Sequence, residues 1–479
     1  MQTSPSEYQK ATPDKQVRYP QYISLQMLPS FLLEFFSIHG YRFPNKSEFN
    51  LLSPKIYIYI FLSTPSHPLQ QTEPNKMATT NGTNGATKSI RLFNAESAKL
   101  SDFQQFCSRT TNPAEYPLAS SITHNIPIYE ISKFDPANAS TTSALQDEWY
   151  DILATGPGVF VLKGMYDPSK YEQTLTATNE SFERIIARER NDPTKPKGDH
   201  FAASGKNDRV WNSFGKHALD DPDSFLHYYA NPWLSVVSEA WLGPGYRVTA
   251  QCNIVKPGGK AQDSHRDYHL GFQDLDACAK FPRGLHLASQ FLTLQGAVAH
   301  SEMPVESGPT RFLPFSQTYE IGYLAWRREE FREFFQGKYV ALPLALGDGV
   351  FFNPGLFHAA GANVLPAETG FHRKANLLQI SSAFGKPMET VETVPVVQAC
   401  WEGLNRRFKE AGRVDEELGL LVRAIAEAYP FPTNLDKRPP APSGMAPESE
   451  QDIVIRGLEG GWSGEQVVKE LLEMQEDSK

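Results

Sequence analysis

From Arg247 onward the hydrophobic period of this chain is two, and that limits the folds open to it. In the stretch 248–255 one face carries Val248, Ala250, Cys252 and Ile254, and the other carries Thr249, Gln251 and Asn253. Alternation of this kind belongs to a strand with one apolar and one polar face. Pro257-Gly258-Gly259 then turns the chain. Further short strands are expected over 287–298, 311–313, 339–342, 349–352 and 374–384, with a charged helix over 325–335 between them. Short strands separated by Gly and Pro turns favour a jelly roll over alternating βαβ units. The expected fold is mainly β with flanking helices around a double-stranded β-helix (jelly-roll, cupin-like) core.

Helices are expected on both sides of that core. Ser143-Ala144-Leu145-Gln146 reads as a capping box, with Leu145, Trp149, Ile152 and Leu153 at helical spacing behind it. A buried strand at Val159–Leu162 follows Gly156-Pro157-Gly158. Helices over 171–190 and 224–242 lead to the first polar-faced strand, and helices over 391–410 and 414–429 follow the last one. Pro439-Pro440-Ala441-Pro442 reads as a linker. Ser463 caps a final helix with Val467, Val468, Leu471 and Leu472 on one side.

Of 479 residues, 40% are hydrophobic and 21% charged, which is ordinary globular material. The net charge of -9 supplies no basic footprint for nucleic acid. None of the four cysteines stands in a C-x-x-C pair, so a reducing, cytoplasmic setting is expected. The most apolar run, Ile56 to Leu62, is far shorter than the ~20 residues of a membrane-spanning helix. Residues 1–76 mix Ser, Pro, Tyr and Ile without periodicity, and a small-residue run begins at Met77. They read as an extension outside the core, with Met77 the expected start. The expected organisation is this extension, a flexible leader over 77–130, a catalytic domain over 131–432, and a linker with a C-terminal helix over 433–479.

His265-Arg266-Asp267 forms an H-x-D, and His358 stands downstream after the apolar stretch Gly349–Phe352 and Asn353-Pro354-Gly355. Alternate residues on an extended segment point the same way, so His265 and Asp267 can share a ligand. Two imidazoles and one carboxylate on one face suit a non-haem Fe(II) centre with open positions for a substrate acid and O2. His300-Ser301-Glu302 is a competing H-x-E, but it reads as a loop leaving a strand. Arg373 opens the strand after His358, where its guanidinium can grip a carboxylate with two parallel bonds.

These pieces resemble, in order, those of the phytanoyl-CoA dioxygenase family of Fe(II)/2-oxoglutarate oxygenases. Asn253-Ile254-Val255-Lys256-Pro257-Gly258 leads to the H-x-D. Glu306-Ser307-Gly308-Pro309-Thr310-Arg311-Phe312-Leu313-Pro314-Phe315-Ser316-Gln317 is similar to the family's E-N-G-x-L-x-x-x-P-G-S-H. Gly347-Asp348, His358 and Arg373-Lys374-Ala375 close the set, over about residues 145–385. The resemblance implies that His265, Asp267 and His358 ligate Fe(II) and that Arg373 binds the far carboxylate of 2-oxoglutarate. Gln295 stands near a position where many members carry Trp beside the cosubstrate, and Gln251 faces the same way. Both are taken as cosubstrate contacts.

The implied reaction consumes O2 and 2-oxoglutarate, releases succinate and CO2, and hydroxylates an unactivated C–H of a small-molecule substrate. Asp267 favours hydroxylation over halogenation, since a halogenase carries a small residue there. A desaturase or epoxidase using the same site, a zinc or manganese cupin, and an inactive interaction module stay open. The sequence gives no oligomeric state.

Overall fold

A computed structural model describes residues 89–192 and 207–479. The expected extension over 1–76 and the start at Met77 lie outside the described residues. Helix α1 (Leu100–Cys107) precedes a hairpin of β1 (Ser121–Thr123) and β2 (Ile126–Glu130). Helix α2 (Ala139–Ala154) starts four residues before the expected Ser143, because the Asn138 side chain accepts from Thr141 N and caps it there. After β3 (Val159–Lys163), α3 (Pro168–Asn191) and β4 (Asn207–Val210) come α4 (Ser213–Asp220), α5 (Pro222–Tyr229) and α6 (Pro232–Leu242). The single helix expected over 224–242 is therefore two. Pro232 has no N–H to continue α5, but it fits the first position of α6, which Asn231 caps.

Strand β5 (Arg247–Val255) leads through the 256–274 segment to α7 (Leu275–Ala279), α8 (Arg283–Phe291) and β6 (Thr293–Ala299). The strand expected over 287–298 thus begins only at Thr293. Helix α8 leaves Leu285 and Leu287 exposed and buries His286, Ser289 and Gln290, so its leucines do not mark its buried face. Next come β7 (Thr310–Leu313), the broken helix α9 (Gly322–Ala325) and α10 (Glu329–Lys338), and β8 (Val340–Ala341). Strands β9 (Gly349–Phe352), β10 (Phe357–Ala360) and β11 (Arg373–Ser381) precede α11 (Thr393–Ala411), α12 (Glu416–Ile425), α13 (Glu450–Glu459) and α14 (Gly464–Asp477).

The strands form an eight-stranded sheet in the order β1-β2-β3-β9-β6-β11-β5-β4 and a three-stranded sheet in the order β10-β7-β8. Period-two alternation assigns the faces of the large sheet. Val159, Val161, Ala297, Ala299, Val350, Phe352 and Ala375 share one apolar cluster with Phe312, Leu342 and Leu344 from the small-sheet side. Phe160, Leu162, Val248, Ala250, Leu294, Val298, Phe351, Leu378 and Ile380 turn the other way into a core built with α2, α4–α6 and α11–α14. The C-terminal helices belong to that core through Val454, Leu458, Val467 and Leu471. The two-sheet, jelly-roll-like core is as expected, but "mainly β" is not: helices hold more of the described chain than strands do. No helix among the described residues is long and apolar enough to cross a membrane.

Candidate metal centre

The segment after β5 returns along β10. Gln262 N donates to Ala360 O at 3.0 Å, His265 N to His358 O at 3.0 Å, His358 N to His265 O at 3.1 Å, and Asp267 N to Pro354 O at 3.1 Å. His265 is therefore not on a regular strand. A single antiparallel bridge places it opposite His358. Asn363 secures this arrangement from behind, because its fully buried amide donates to Val255 O and Phe371 O at 3.0 and 3.1 Å. Its backbone also exchanges two hydrogen bonds with the Gly258-Gly259 turn.

The consequence is a cluster in which ligand atoms of His265, Asp267 and His358 all lie within 4.8 Å of one another. His265 Nε2 is 3.6 Å from Asp267 Oδ1, and His358 Nε2 is 3.5 Å from Asp267 Oδ2. Each imidazole has its Nδ1 against a backbone carbonyl: Asp263 O at 2.8 Å and Leu356 O at 2.9 Å. Those contacts place the proton on Nδ1 and leave both Nε2 lone pairs for a cation. Burial would raise the Asp267 carboxyl, but the two imidazoles and the Gln295 amide outweigh it and hold the group well below the usual carboxylate range. Burial lowers the His265 imidazole, against the pull of Asp267. Two imidazoles and one carboxylate converging on one point fit a divalent first-row metal such as iron.

The cluster opens into a cavity of about 860 Å³ between the sheets. Arg373 is buried on its floor, where Nη2 donates to Asn253 Oδ1 at 2.6 Å and Nη1 donates to Gly308 O. Its Nε is buried without an acceptor. Burial and the neighbouring Arg209 push its pKa down to about 10. The next residue, Lys374, leaves by the opposite face and pairs with Glu183 at 2.6 Å.

Gln295 and Gln251 also line the cavity. Gln295 Nε2 donates to Asp267 Oδ2 at 2.6 Å and to Gln379 Oε1 at 3.2 Å, so this side chain orients the carboxylate. Gln251 accepts from Arg209 at 2.8 Å and points Nε2 at Met388 Sδ, 3.3 Å away. His300 lies on the other side of the sheet, buried among Tyr228, Asn179 and Phe182, and Glu302 accepts from Leu346 N. Neither joins the cluster. Sequence reasoning missed the outer wall of Arg209, Trp211, Tyr268, His269, Phe272, Trp326 and Arg332. One local signal existed for Trp326: it is the single large aromatic opening a run of charged residues, held by Arg327 with Cζ 4.0 Å from its ring centroid.

Comparison with known families agrees with this geometry. Residues 156–367 match the phytanoyl-CoA dioxygenase family model. Over these residues the chain is similar to a phytanoyl-CoA dioxygenase domain. The phytanoyl-CoA dioxygenase family consists of enzymes that use Fe(II), 2-oxoglutarate and O2. A sequence comparison with curated proteins gives no match. Similar solved structures include the α-ketoglutarate-dependent epimerase SnoN of nogalamycin biosynthesis, at 18% identity and TM-score 0.35 over 50% of this chain and 82% of that one. The carbocyclase SnoK of the same biosynthesis has 18% identity and TM-score 0.36 over 52% and 95%. AviO1 from Streptomyces viridochromogenes Tue57 has 14% identity and TM-score 0.35 over 50% and 97%.

Two departures from the phytanoyl-CoA dioxygenase pattern acquire physical explanations. Phe315 stands where glycine is usual and keeps the left-handed backbone, φ 69°, with Arg109 stacked 4.5 Å from its ring. Gln317 stands where histidine is usual, and its Nε2 donates to Gly156 O at 2.8 Å. Gly158 leaves room for it, since a Cβ there would lie 2.5 Å from Gln317 Oε1.

Proposed function

We propose that this chain binds Fe(II) through His265 Nε2, Asp267 and His358 Nε2 and hydroxylates an unactivated C–H of a small organic or lipid-like metabolite. The convergence of those three side chains in one cavity with the buried Arg373 carries the reading. Arg373 takes the far carboxylate of 2-oxoglutarate, with Asn253 and Gly308 holding the guanidinium in place for two charge-assisted bonds. Gln295 orients Asp267 rather than touching the cosubstrate first, and Gln251 sits farther out, beside Arg209 and Met388. The substrate occupies the outer part of the cavity against Trp326, Phe272 and Tyr268.

When bound, Fe(II) and 2-oxoglutarate supply the activation of O2. Substrate C–H, 2-oxoglutarate and O2 become substrate C–OH, succinate and CO2. The role of this chain is to hold the two reactants in register and to keep the carboxylate ionised. Its four cysteines are free, which supports a reducing, cytoplasmic setting.

The test is succinate release from 2-oxoglutarate across a metabolite library, with product mass read in parallel. The reading expects Fe(II)-dependent succinate and a product richer by one oxygen. Loss of two hydrogens without oxygen gain would identify a desaturase on the same site. Metal binding without any 2-oxoglutarate turnover would sink the oxygenase reading.

A further inference from the structure

Arg266 stands between two ligands of the cluster, yet its guanidinium serves neither directly. The side chain is fully buried, and no carboxylate among the described residues lies within ion-pair distance of it. Nη2 donates to Ser316 O at 2.6 Å, to Tyr319 O at 3.0 Å and to Gln317 O at 3.4 Å, while Nε and Nη1 have no acceptor. The group is sandwiched by rings, with Cζ 5.1 Å from the Tyr323 centroid and 5.3 Å from that of Phe357. Gly322 makes the space, since a Cβ there would lie 2.1 Å from the guanidinium carbon. Burying a charge on carbonyl partners alone is expensive, and a methionine of similar length would fill the volume more cheaply.

What the charge holds is the turn that fixes the third ligand. Ser316 Oγ accepts from Phe357 N at 2.7 Å, one residue before His358. Tyr323 Oη donates to Asp267 O at 3.2 Å, closing the circuit from the other side. We infer that Arg266 is a positioning residue: by clamping the 316–319 turn it sets the spacing of His358 against His265 and Asp267. This rests on the proposed metal site. It makes the middle residue of the H-x-D a part of the metal geometry, though it donates nothing to the metal.

The test uses the full chain and Co(II) as a spectroscopic probe, without 2-oxoglutarate. Arg266→Lys keeps charge but loses the planar fork, and Arg266→Met keeps bulk but loses charge. Both are expected to weaken Co(II) binding at least tenfold and to alter its visible absorption. Gly322→Ala displaces the guanidinium without replacing it and should act in the same direction. Ser316→Ala leaves the guanidinium intact and removes only the Phe357 contact, so it carries the test if the arginine variants fail to fold. Folded variants with wild-type Co(II) affinity and spectrum would overturn the inference. If the wild-type chain itself binds no Co(II), the metal-site reading fails instead.

Discussion

Arg373 and Lys374 are neighbours in sequence and opposites in space. The first enters the cavity beside Asn253, and the second pairs outward with Glu183. A strand alternates its faces, so a slip of one residue would exchange them. Bonds to a charged group contribute ~1.5–3 kcal/mol each, so Arg373→Ala should weaken 2-oxoglutarate binding at least tenfold. Arg373→Lys should fall between, and Fe(II) affinity without cosubstrate should not move. Equilibrium binding of 2-oxoglutarate checks this; normal binding by Arg373→Ala with loss in Lys374→Ala would contradict it. At this scale the sequence was informative where a residue type has one use. His265, Asp267, His358 and Arg373 stand out as candidates because ligand chemistry leaves few alternatives, and the fold brings ligand atoms of the first three within 4.8 Å of one another. Gln295 is expected from the resemblance to be a cosubstrate contact, but its partner is not legible, since a glutamine's bonds depend on what stands opposite. Its contact with Asp267 is a tertiary fact.

Individual elements locate these residues, and the decisive one is irregular. The 262–267 segment pairs with 354–360 by scattered hydrogen bonds rather than a full ladder. Asn363 ties that pairing to β5 and to the approach to β11. Asn363→Ala would take this donor from Val255 O in a buried place and from Phe371 O in a half-buried one, and an unsatisfied buried group costs ~1–3 kcal/mol. Thermal denaturation should show a clear drop in Tm, and Fe(II) affinity should fall with it. An unchanged Tm would mean that the turn is held elsewhere. Alternation in 248–255 was legible because both faces of β5 are buried against different partners, one apolar and one polar. Helix α8 was not legible, because its exposed leucines and buried polar residues invert the usual stripe. The break at Pro232 and the cap at Asn138 were in the sequence as local chemistry, but hydrophobic periodicity ran across them.

Over the whole molecule, helices cover the outer face of the large sheet and bury titratable groups that take no part in the metal cluster. Burial depresses His300 to about 3 and His217 to about 4. Tyr228, Asn179 and Lys374 face or neighbour the first, and Ser224, Asp220, Asp221 and Arg184 the second. Both groups charge more easily in the unfolded chain, near its ordinary value of about 6.5. The stability they confer is therefore fully present above that pH and is lost as pH falls toward about 3. Chemical denaturation between about pH 7 and about pH 4 should show falling stability, and His300→Gln should flatten the slope; a slope unaffected by that change would contradict the assignment. The helical layer itself was underestimated from sequence, because its faces were read one helix at a time and not as the cover of a sheet. The proposed chemistry depends most on one set of ligands. Anaerobic Fe(II) titration of the wild-type chain, His265→Ala, His358→Ala and His300→Ala tests it directly. It predicts one bound iron in the wild type and in His300→Ala, and none retained in the other two; full iron occupancy in His265→Ala or His358→Ala would contradict it.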